Sequence, residues 1–406
     1  MKLFKVKQDF PRPSIPSGDI AAVVRKQLAG CDLSVKKGDR IAIATGSRGI
    51  ANIHHIVKAT VDYVKEAGGE PFIVPAMGSH GGATPEGQRE VLESYGITES
   101  YTGVPIKSSL EVVTLPQDDL PNKVYMDKHA YEADGTIVIN RVKVHTDYHG
   151  PLESGVMKML VIGLGKHDQA LAIHDYGTKG LKEYIPPTAR QVLKYGNILA
   201  GVAIAENAYD ETAIIKAWKP ADIEREEIAM LRWVKDNMPS LPVKQIDVLI
   251  IDEFGKDISG VGLDPNIIGR TKIKTEPEPE FPDITSIMLL NLTKNSHGNA
   301  IGMGLADIIT RRVFENIDFK ATYENVVTSS FLERGFVPIV VDDENTGLNY
   351  ALRSCGLADV NNPRIIRIKN TLNLDEIWVS QALVDELEGR PQIAVLDESL
   401  DVFAAC

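Results

Sequence analysis

The chain has 406 residues and a formal net charge of −12, from 44 basic and 56 acidic side chains. Apolar residues at 43% and charged residues at 25% are typical of globular proteins, which excludes collagen-like, disordered and disulfide-stapled classes. The length predicts two domains, the absence of a long apolar run excludes a membrane span, and the acidic balance disfavours nucleic acid as a partner.

Short apolar runs alternate with amphipathic segments in the first half of the chain. Arg40–Thr45 is predicted to be a buried strand, followed by a helix that ends at Gly68–Gly69. Glu70–Met77 predicts the next strand, and Thr84 is expected to cap a helix that Pro85 opens. This order is typical of parallel strands joined by crossover helices.

The same alternation continues through the rest of the chain. Thr136–Val144 and Ile198–Asn207 predict two further strands, and a new series of strands and helices begins after Pro239. The pattern predicts an α/β protein with two α/β domains, mixed but mainly parallel sheets, and an active-site cleft between the domains. We place an N-terminal catalytic domain at residues 1–240, a C-terminal domain at 241–375, and a closing helix and strand at 376–406 that are expected to pack back on the N-terminal domain.

The cysteines and the N-terminus indicate the compartment. Cys31, Cys355 and Cys406 are far apart in sequence, which favours neither a disulfide framework nor a thiolate metal site. The first residues lack the apolar core of a signal peptide. We therefore expect a reducing, cytoplasmic location.

Residues with acid-base or anion-binding chemistry follow three of the predicted strands. Arg48 follows the first strand, His80 the second and His145 the third. Ligands of open α/β sheets bind beyond the carboxyl ends of the strands, so we expect these side chains to share one rim. Lys158 lies in an apolar, glycine-bearing segment, where it is either a desolvated nucleophile or a lysine that snorkels from an amphipathic helix.

A cluster of histidines leaves a second interpretation open. His145, His149 and His174 lie within 30 residues of one another in the sequence. Three imidazoles with water as a fourth ligand would suit a zinc-dependent hydrolase.

The order of these residues resembles the nickel-pincer lactate racemase family of 2-hydroxyacid racemases and epimerases. The motif AMGSHGGAT places His80 at the first histidine of the family, and His145 follows a strand as the second histidine does. Lys158 corresponds to the lysine that anchors the cofactor. His174 lies 16 residues beyond it, as the nickel-ligating histidine of the family does.

The resemblance implies inversion of C2 of a 2-hydroxycarboxylic acid by reversible hydride transfer. His80 and His145 would be the two bases, one for each hand of the substrate. The nickel-pincer nucleotide, a pyridinium bisthiocarboxylic acid mononucleotide, would be linked covalently to Lys158. His174 would bind nickel. Two neighbours of the anchoring lysine would contact the cofactor, namely Ser154 and Gly155.

The resemblance also implies contacts with the substrate. Arg48 would bind the cofactor or the substrate carboxylate, and Lys272 would bind substrate. Thr45 and Gly269 stand where the family has aspartate and glutamine, so we expect an acid that is lactate-like or longer, such as the sugar acid gluconate. The expected partners are this small acid and the cofactor-maturation enzymes. A third interpretation is a non-catalytic protein that binds the nickel nucleotide or a hydroxy acid.

Overall fold

The structure is a computed structural model that describes residues 1–46, 49–274, 276–356 and 361–403. The chain divides into two compact units. The larger unit is Pro11–Met238, and the split unit combines Met1–Phe10 with Pro239–Cys406. Within the described ranges, no helix is both long enough and apolar enough to cross a membrane.

The larger unit is built on a five-stranded sheet. The strands are β2 (Arg40–Thr45), β3 (Glu70–Pro75), β6 (Gly135–Arg141), β7 (Ile198–Glu206) and β8 (Thr212–Trp218), in the spatial order β3-β2-β6-β7-β8. The first four are parallel, and β8 pairs antiparallel with β7. A separate hairpin joins β4 (Val112–Leu115) to β5 (Val124–Asp127).

Helices follow most of these strands. They are α1 (Ile20–Gly30), α2 (Ile53–Glu66), α3 (Pro85–Ser94), α4 (Glu99–Thr102), α5 (Lys128–Tyr131), α6 (Val156–Lys158), α7 (Lys166–His174), α8 (Gly177–Lys179), α9 (Ile185–Tyr195) and α10 (Ile223–Asn237). Two π-helical turns, Met159–Gly163 and Gly180–Tyr184, continue α6 and α8.

The side chains of β2 explain why helices cover both faces of this sheet. Ala42 and Ala44 belong to one buried apolar cluster, whereas Ile41 and Ile43 belong to another. Successive side chains of a strand point to opposite faces, so an uninterrupted apolar strand needs a core on each side. The sequence prediction of an α/β fold with mixed, mainly parallel sheets is confirmed.

The split unit contains an eight-stranded mixed sheet. Its strands are β1 (Lys2–Gln8), β9 (Gln245–Phe254), β10 (Asp283–Leu292), β11 (Ile308–Thr310), β12 (Ile339–Val341), β13 (Ile365–Ile368), β14 (Glu376–Val379) and β15 (Ile393–Asp401), in the order β12-β11-β10-β9-β13-β14-β1-β15. The five from β12 to β13 are parallel, and the remaining pairs are antiparallel. Its helices are α11 (Pro265–Ile268), α12 (Arg311–Glu315), α13 (Phe319–Ser329), α14 (Glu344–Ser354) and α15 (Gln381–Leu387).

The unit boundaries differ from the domains drawn on the sequence. The first ten residues belong to the split unit because β1 pairs with both β14 and β15. The closing segment, expected to pack on the N-terminal domain, contributes β14 and β15 to the eight-stranded sheet of the split unit, with α15 between them in the chain. The division after Met238 lies two residues before the boundary placed at 240.

Candidate active site

The carboxyl ends of three strands of the larger unit pack against the π-helical turn Met159–Gly163. Gly46 directly follows β2. A Cβ atom on Gly46 would collide with the side chain of Met159, the first residue of the turn, and would lie 3.4 Å from Asn140 Oδ1 in β6. A Cβ atom on Gly163, the last residue of the turn, would lie 2.9 Å from the carbonyl oxygen of Ala76, which follows β3. The backbones at these strand ends are therefore held together too closely for added side-chain atoms.

Lys158 and His145 form the central contact of the candidate site. The half-buried Lys158 is the last residue of α6 and directly precedes the π-helical turn, an insertion that is frequent at functional sites. Its Nζ lies 2.6 Å from Nε2 of His145, which is 9% exposed in the loop after β6. Nδ1 of the same ring accepts the Asp147 N–H at 3.0 Å, so Nε2 is the ring nitrogen that faces the amine.

A buried carboxylate shapes the loop that presents His145. Glu153 is 1% exposed and accepts the N–H of His145 at 2.6 Å and the N–H of Gly150 at 3.2 Å. Lys235 Nζ lies 2.6 Å from Oε1, the oxygen that also accepts the Gly150 N–H. Burial alone would raise the pKa of Glu153, but His149, Lys235 and the His145 amide together hold it below the usual range. The loop is therefore folded around a stable negative charge.

A second buried carboxylate lies at the start of the helix that carries Lys158. Glu227 of α10 is 1% exposed, and its Oε2 accepts the N–H of Met157 at 3.0 Å. The Val156 N–H also stabilises the carboxylate. A Cβ atom on Gly155 would overlap the carboxyl group, so only glycine leaves room for this contact.

His174 lies near Lys158, at the C-terminal end of α7. The residue as a whole is exposed, but desolvation of its ring, and then the nearby Lys158 amine, lowers the pKa of His174. Asp147 and Asp175 oppose this effect. The net result favours the neutral imidazole, which is the form that binds metals.

His80 is exposed and lies in the loop that follows β3. Gln88, which is fully buried on α3, donates from Nε2 to the carbonyl oxygens of Gly78 at 2.8 Å and His80 at 3.2 Å. Gly78 has a left-handed φ of 60°, and a Cβ atom there would lie 3.0 Å from the Ile162 side chain. The loop is thus packed on the same π-helical turn that follows Lys158.

A buried lysine joins the helix of His174 to the ends of two strands, β5 and the strand before His80. Lys166 and Asp127 are both 0% exposed, and Lys166 Nζ lies 2.8 Å from Asp127 Oδ2. The same amine donates to the carbonyl oxygen of Pro75, the last residue of β3. Desolvation lowers the pKa of Lys166, and Asp127 offsets part of this effect.

The other residues predicted to bind cofactor or substrate are Arg48, Ser154 and Lys272. Arg48 lies outside the described residues. Ser154 is half-buried and exchanges two backbone hydrogen bonds with Lys143, at 2.9 and 3.2 Å. Lys272 belongs to the split unit, where its Nζ donates to the carbonyl oxygen of Gly304 at 2.6 Å. Desolvation, followed by the charge of Arg270, lowers the pKa of Lys272.

The predicted zinc set is not assembled. Within the part of the chain that the structure describes, no group of three histidine, cysteine, aspartate or glutamate side chains could hold a metal ion. His149 instead points Nδ1 towards Glu153 Oε2 at 3.5 Å. The prediction that His145, His149 and His174 form a three-histidine zinc site is therefore wrong.

Sequence reasoning missed four residues that hold the site together. Gln88, Glu153, Lys166 and Glu227 are each at most 1% exposed, although each has a polar or charged side chain. The signal for Glu227 is present in the sequence, because it stands four residues after Ile223 on the apolar stripe of α10. The partners of the other three come from distant segments, which local patterns do not reveal.

Comparisons with known proteins relate the chain to a family model and to several solved structures, including the following two. Residues 43–217 match a family described as a domain of unknown function (DUF362). The lactate racemase apoprotein from Thermoanaerobacterium thermosaccharolyticum is similar in structure, with a TM-score of 0.50 and 12% sequence identity, over 92% of this chain and 99% of that chain. A Northeast Structural Genomics Consortium target from Thermotoga maritima has a TM-score of 0.48 and 11% identity, over 70% of this chain and 72% of that chain.

No curated protein matches the sequence. At 12% identity the likeness to the lactate racemase apoprotein is one of fold. It covers nearly the whole of both chains, so the α/β architecture described above is shared with that protein.

Proposed function

We propose that this protein is a racemase or epimerase that inverts C2 of a 2-hydroxycarboxylic acid, lactate-like or longer. The observation that carries the proposal is the contact of 2.6 Å between Lys158 Nζ and His145 Nε2, at strand ends of a fold shared with a lactate racemase apoprotein. His174 lies close enough to Lys158 to sense its charge. These three residues are the ones that the family resemblance assigns to base, cofactor anchor and metal ligand.

The two proposed bases have different settings. The backbone N–H of His145 donates to the Glu153 carboxylate, and its Nδ1 accepts the Asp147 N–H. These two hydrogen bonds direct Nε2 into the site. His80 is exposed, and its backbone is fixed by Gln88. A racemase must remove the hydroxyl proton from both enantiomers of its substrate. Two imidazoles from two strand ends would each act as the base for one enantiomer.

The residues present fit a nickel-pincer nucleotide. Lys158 offers a half-buried amine for the covalent link, and His174 offers an imidazole whose lowered pKa favours the metal-binding form. Gly155 and Ser154 lie at the start of the same helical segment and would approach the cofactor through their backbone. When bound, the nickel-pincer nucleotide would accept hydride from C2 of the acid and return it.

The acid itself would be held by cationic side chains. Arg48 would bind the substrate carboxylate or the cofactor, and Lys272 would bind substrate. Neutralising a small anion by a guanidinium fork is a common mode of carboxylate binding. Because the net charge of the chain is −12, binding of an anionic substrate would depend on these local cations.

The test begins with covalent loading. The chain is co-expressed with cofactor-maturation enzymes, and intact mass and nickel content are measured for the parent, Lys158→Ala and the control Lys179→Ala, which alters an exposed lysine. We expect an adduct with nickel in the parent and the control but not in Lys158→Ala. An adduct that persists in Lys158→Ala would refute the proposed anchor.

Activity is then measured with single enantiomers of 2-hydroxy acids that carry deuterium at C2, from lactate to gluconate. We expect loss of optical purity with the label retained, because hydride leaves and returns within one site. Binding of nickel nucleotide without inversion of any acid would instead favour the non-catalytic binding protein.

A further inference from the structure

The first turn of the Lys158 helix is held by a carboxyl group from another helix. Glu227 Oε2 accepts the Met157 N–H at 3.0 Å, and the Val156 N–H also stabilises the carboxylate. These amides belong to the two residues directly before Lys158. Amide groups at a helix N-terminus have no partner within the helix, and a carboxylate there also gains from the helix dipole.

The contact is built to fit a carboxyl group closely. Gly155 leaves space that any Cβ atom would fill, so the Glu227 carboxyl packs directly on the backbone. The second carboxyl oxygen, Oε1, is buried and has no hydrogen-bond partner. An ionised carboxylate with one oxygen unpartnered is costly to bury, so this group binds a proton more readily than an exposed glutamate.

The charges around Glu227 do not neutralise it. On its own helix, Glu224 adds negative charge, although Arg190 pairs with it at 2.6 Å. Tyr148, from the loop of His145, is close enough for its phenol to respond to the Glu227 charge. Two further elements that pack on α10 are α6, which carries Lys158, and β7, in which the one titratable residue is Glu206. Burial therefore raises the pKa of Glu227 to about 7.

We propose that Glu227 is a positioning residue for Lys158, and that gain or loss of its proton shifts the first turn of α6 and with it the Lys158 amine. The ionised carboxylate holds both amides strongly, whereas the protonated acid is a weaker acceptor and can donate its proton elsewhere. The effect is transmitted over a single helical turn. Its relevance to catalysis rests on the proposed function, in which Lys158 anchors the cofactor.

The experiment uses the full chain without cofactor, nickel or substrate, so its outcome does not depend on racemase activity. Acetylation of Lys158 by N-hydroxysuccinimidyl acetate is measured by peptide mass spectrometry, as a ratio to the exposed Lys179. Between about pH 6 and about pH 8 the ionised fraction of Glu227 rises from about a tenth to about nine-tenths. We expect the ratio to change by about threefold across this window in the parent.

Two variants on the same helix separate the proposal from other titrating groups. Glu227→Gln keeps the shape but has no charge to gain or lose, so its ratio is expected to be nearly independent of pH. Asp236→Asn, the control, removes an exposed carboxylate of α10 and should keep the parental profile. The same pH profile in the parent and in Glu227→Gln would overturn the proposal, because the change would then come from the histidines beside Lys158.

A measurement on the parent protein covers the case in which Glu227→Gln does not fold. In protein labelled with ¹³C-glutamate, the carboxyl resonances are followed by NMR over the same pH range. One glutamate carboxyl that titrates near neutrality, together with the changing acetylation ratio, is the expected result. If every glutamate is fully ionised at about pH 6, the proposal fails.

Discussion

The buried carboxyl of Glu227 makes a quantitative prediction about stability. A glutamate in the unfolded chain has its ordinary pKa of 4.5, and burial raises this to about 7 in the folded protein. Between these values the folded state binds more protons than the unfolded state, so the free energy of unfolding falls as pH rises. Each tenfold difference in proton affinity corresponds to about 1.4 kcal/mol, which gives a loss of about 3 kcal/mol between about pH 4.5 and about pH 7.

Glu227→Gln removes this dependence because the amide does not titrate in that range. The assay is unfolding by urea, followed by circular dichroism at several pH values in the parent, in Glu227→Gln and in the control Asp236→Asn, which alters an exposed carboxylate of the same helix. We expect the parent and Asp236→Asn to lose stability relative to Glu227→Gln as the pH is raised from about 5 to about 8, by about 2–3 kcal/mol. A constant difference between the parent and Glu227→Gln over this range would refute the reasoning.

The other predictions concern polar groups that are buried around the site. Lys166→Met leaves Asp127 as an unpaired buried charge and should cost about 3–5 kcal/mol of unfolding free energy, measured with urea. Much of this loss should be recovered by adding Asp127→Asn, which removes the charge and keeps an oxygen for the Ala130 N–H. A single-variant cost below about 1 kcal/mol would contradict this. Gln88→Glu replaces an amide donor with a carboxylate that faces two carbonyl oxygens. The melting temperature should therefore fall more at about pH 7 than at about pH 4, where the protonated acid can donate a hydrogen bond. Equal decreases in melting temperature at the two pH values would argue against the hydrogen bonds to the His80 loop. Gly155→Ala forces a Cβ atom into the facing carboxyl group and should cost about 1–3 kcal/mol of unfolding free energy, whereas Gly18→Ala, in open space, should cost little.

The strands of the larger unit could be predicted because their sequences carry strong local signals. Arg40–Thr45 is the strand β2 with the bounds that the sequence predicts, since its run of small and branched apolar residues fits a strand buried on both faces. Glu70–Met77 and Thr136–Val144 extend two and three residues beyond β3 and β6, because apolar residues continue into the loops at the carboxyl ends. β1 was not predicted. Its pattern KLFKVKQ becomes a strand through pairing with β14 and β15, nearly 400 residues away in the sequence.

The candidate site was predictable only in part. Sequence order and the family resemblance together indicated His145, Lys158 and His174, and the structure places these residues near one another. Their supports come from tertiary contacts: Glu227 lies about 70 residues from the amides that it holds. The position of Glu227 on the apolar stripe of α10 indicates from the sequence that this residue is buried. The amides that it binds could not be identified without the fold.

The pairing of β1 with β15 has a consequence for synthesis on the ribosome. Residues 11–238 form the larger unit as one continuous stretch, so this unit can fold once its last helix has left the exit tunnel. Lys2 faces Asp401 across the strand pair, and the Val402 N–H donates to the carbonyl oxygen of Met1 at 2.9 Å. β1 therefore cannot pair until β14 and β15 have been synthesised, and during that interval its backbone N–H and C=O groups lack their native partners. Lys2, Lys5 and Lys7 give the unpaired β1 a positive charge, which disfavours pairing between the β1 strands of different nascent chains.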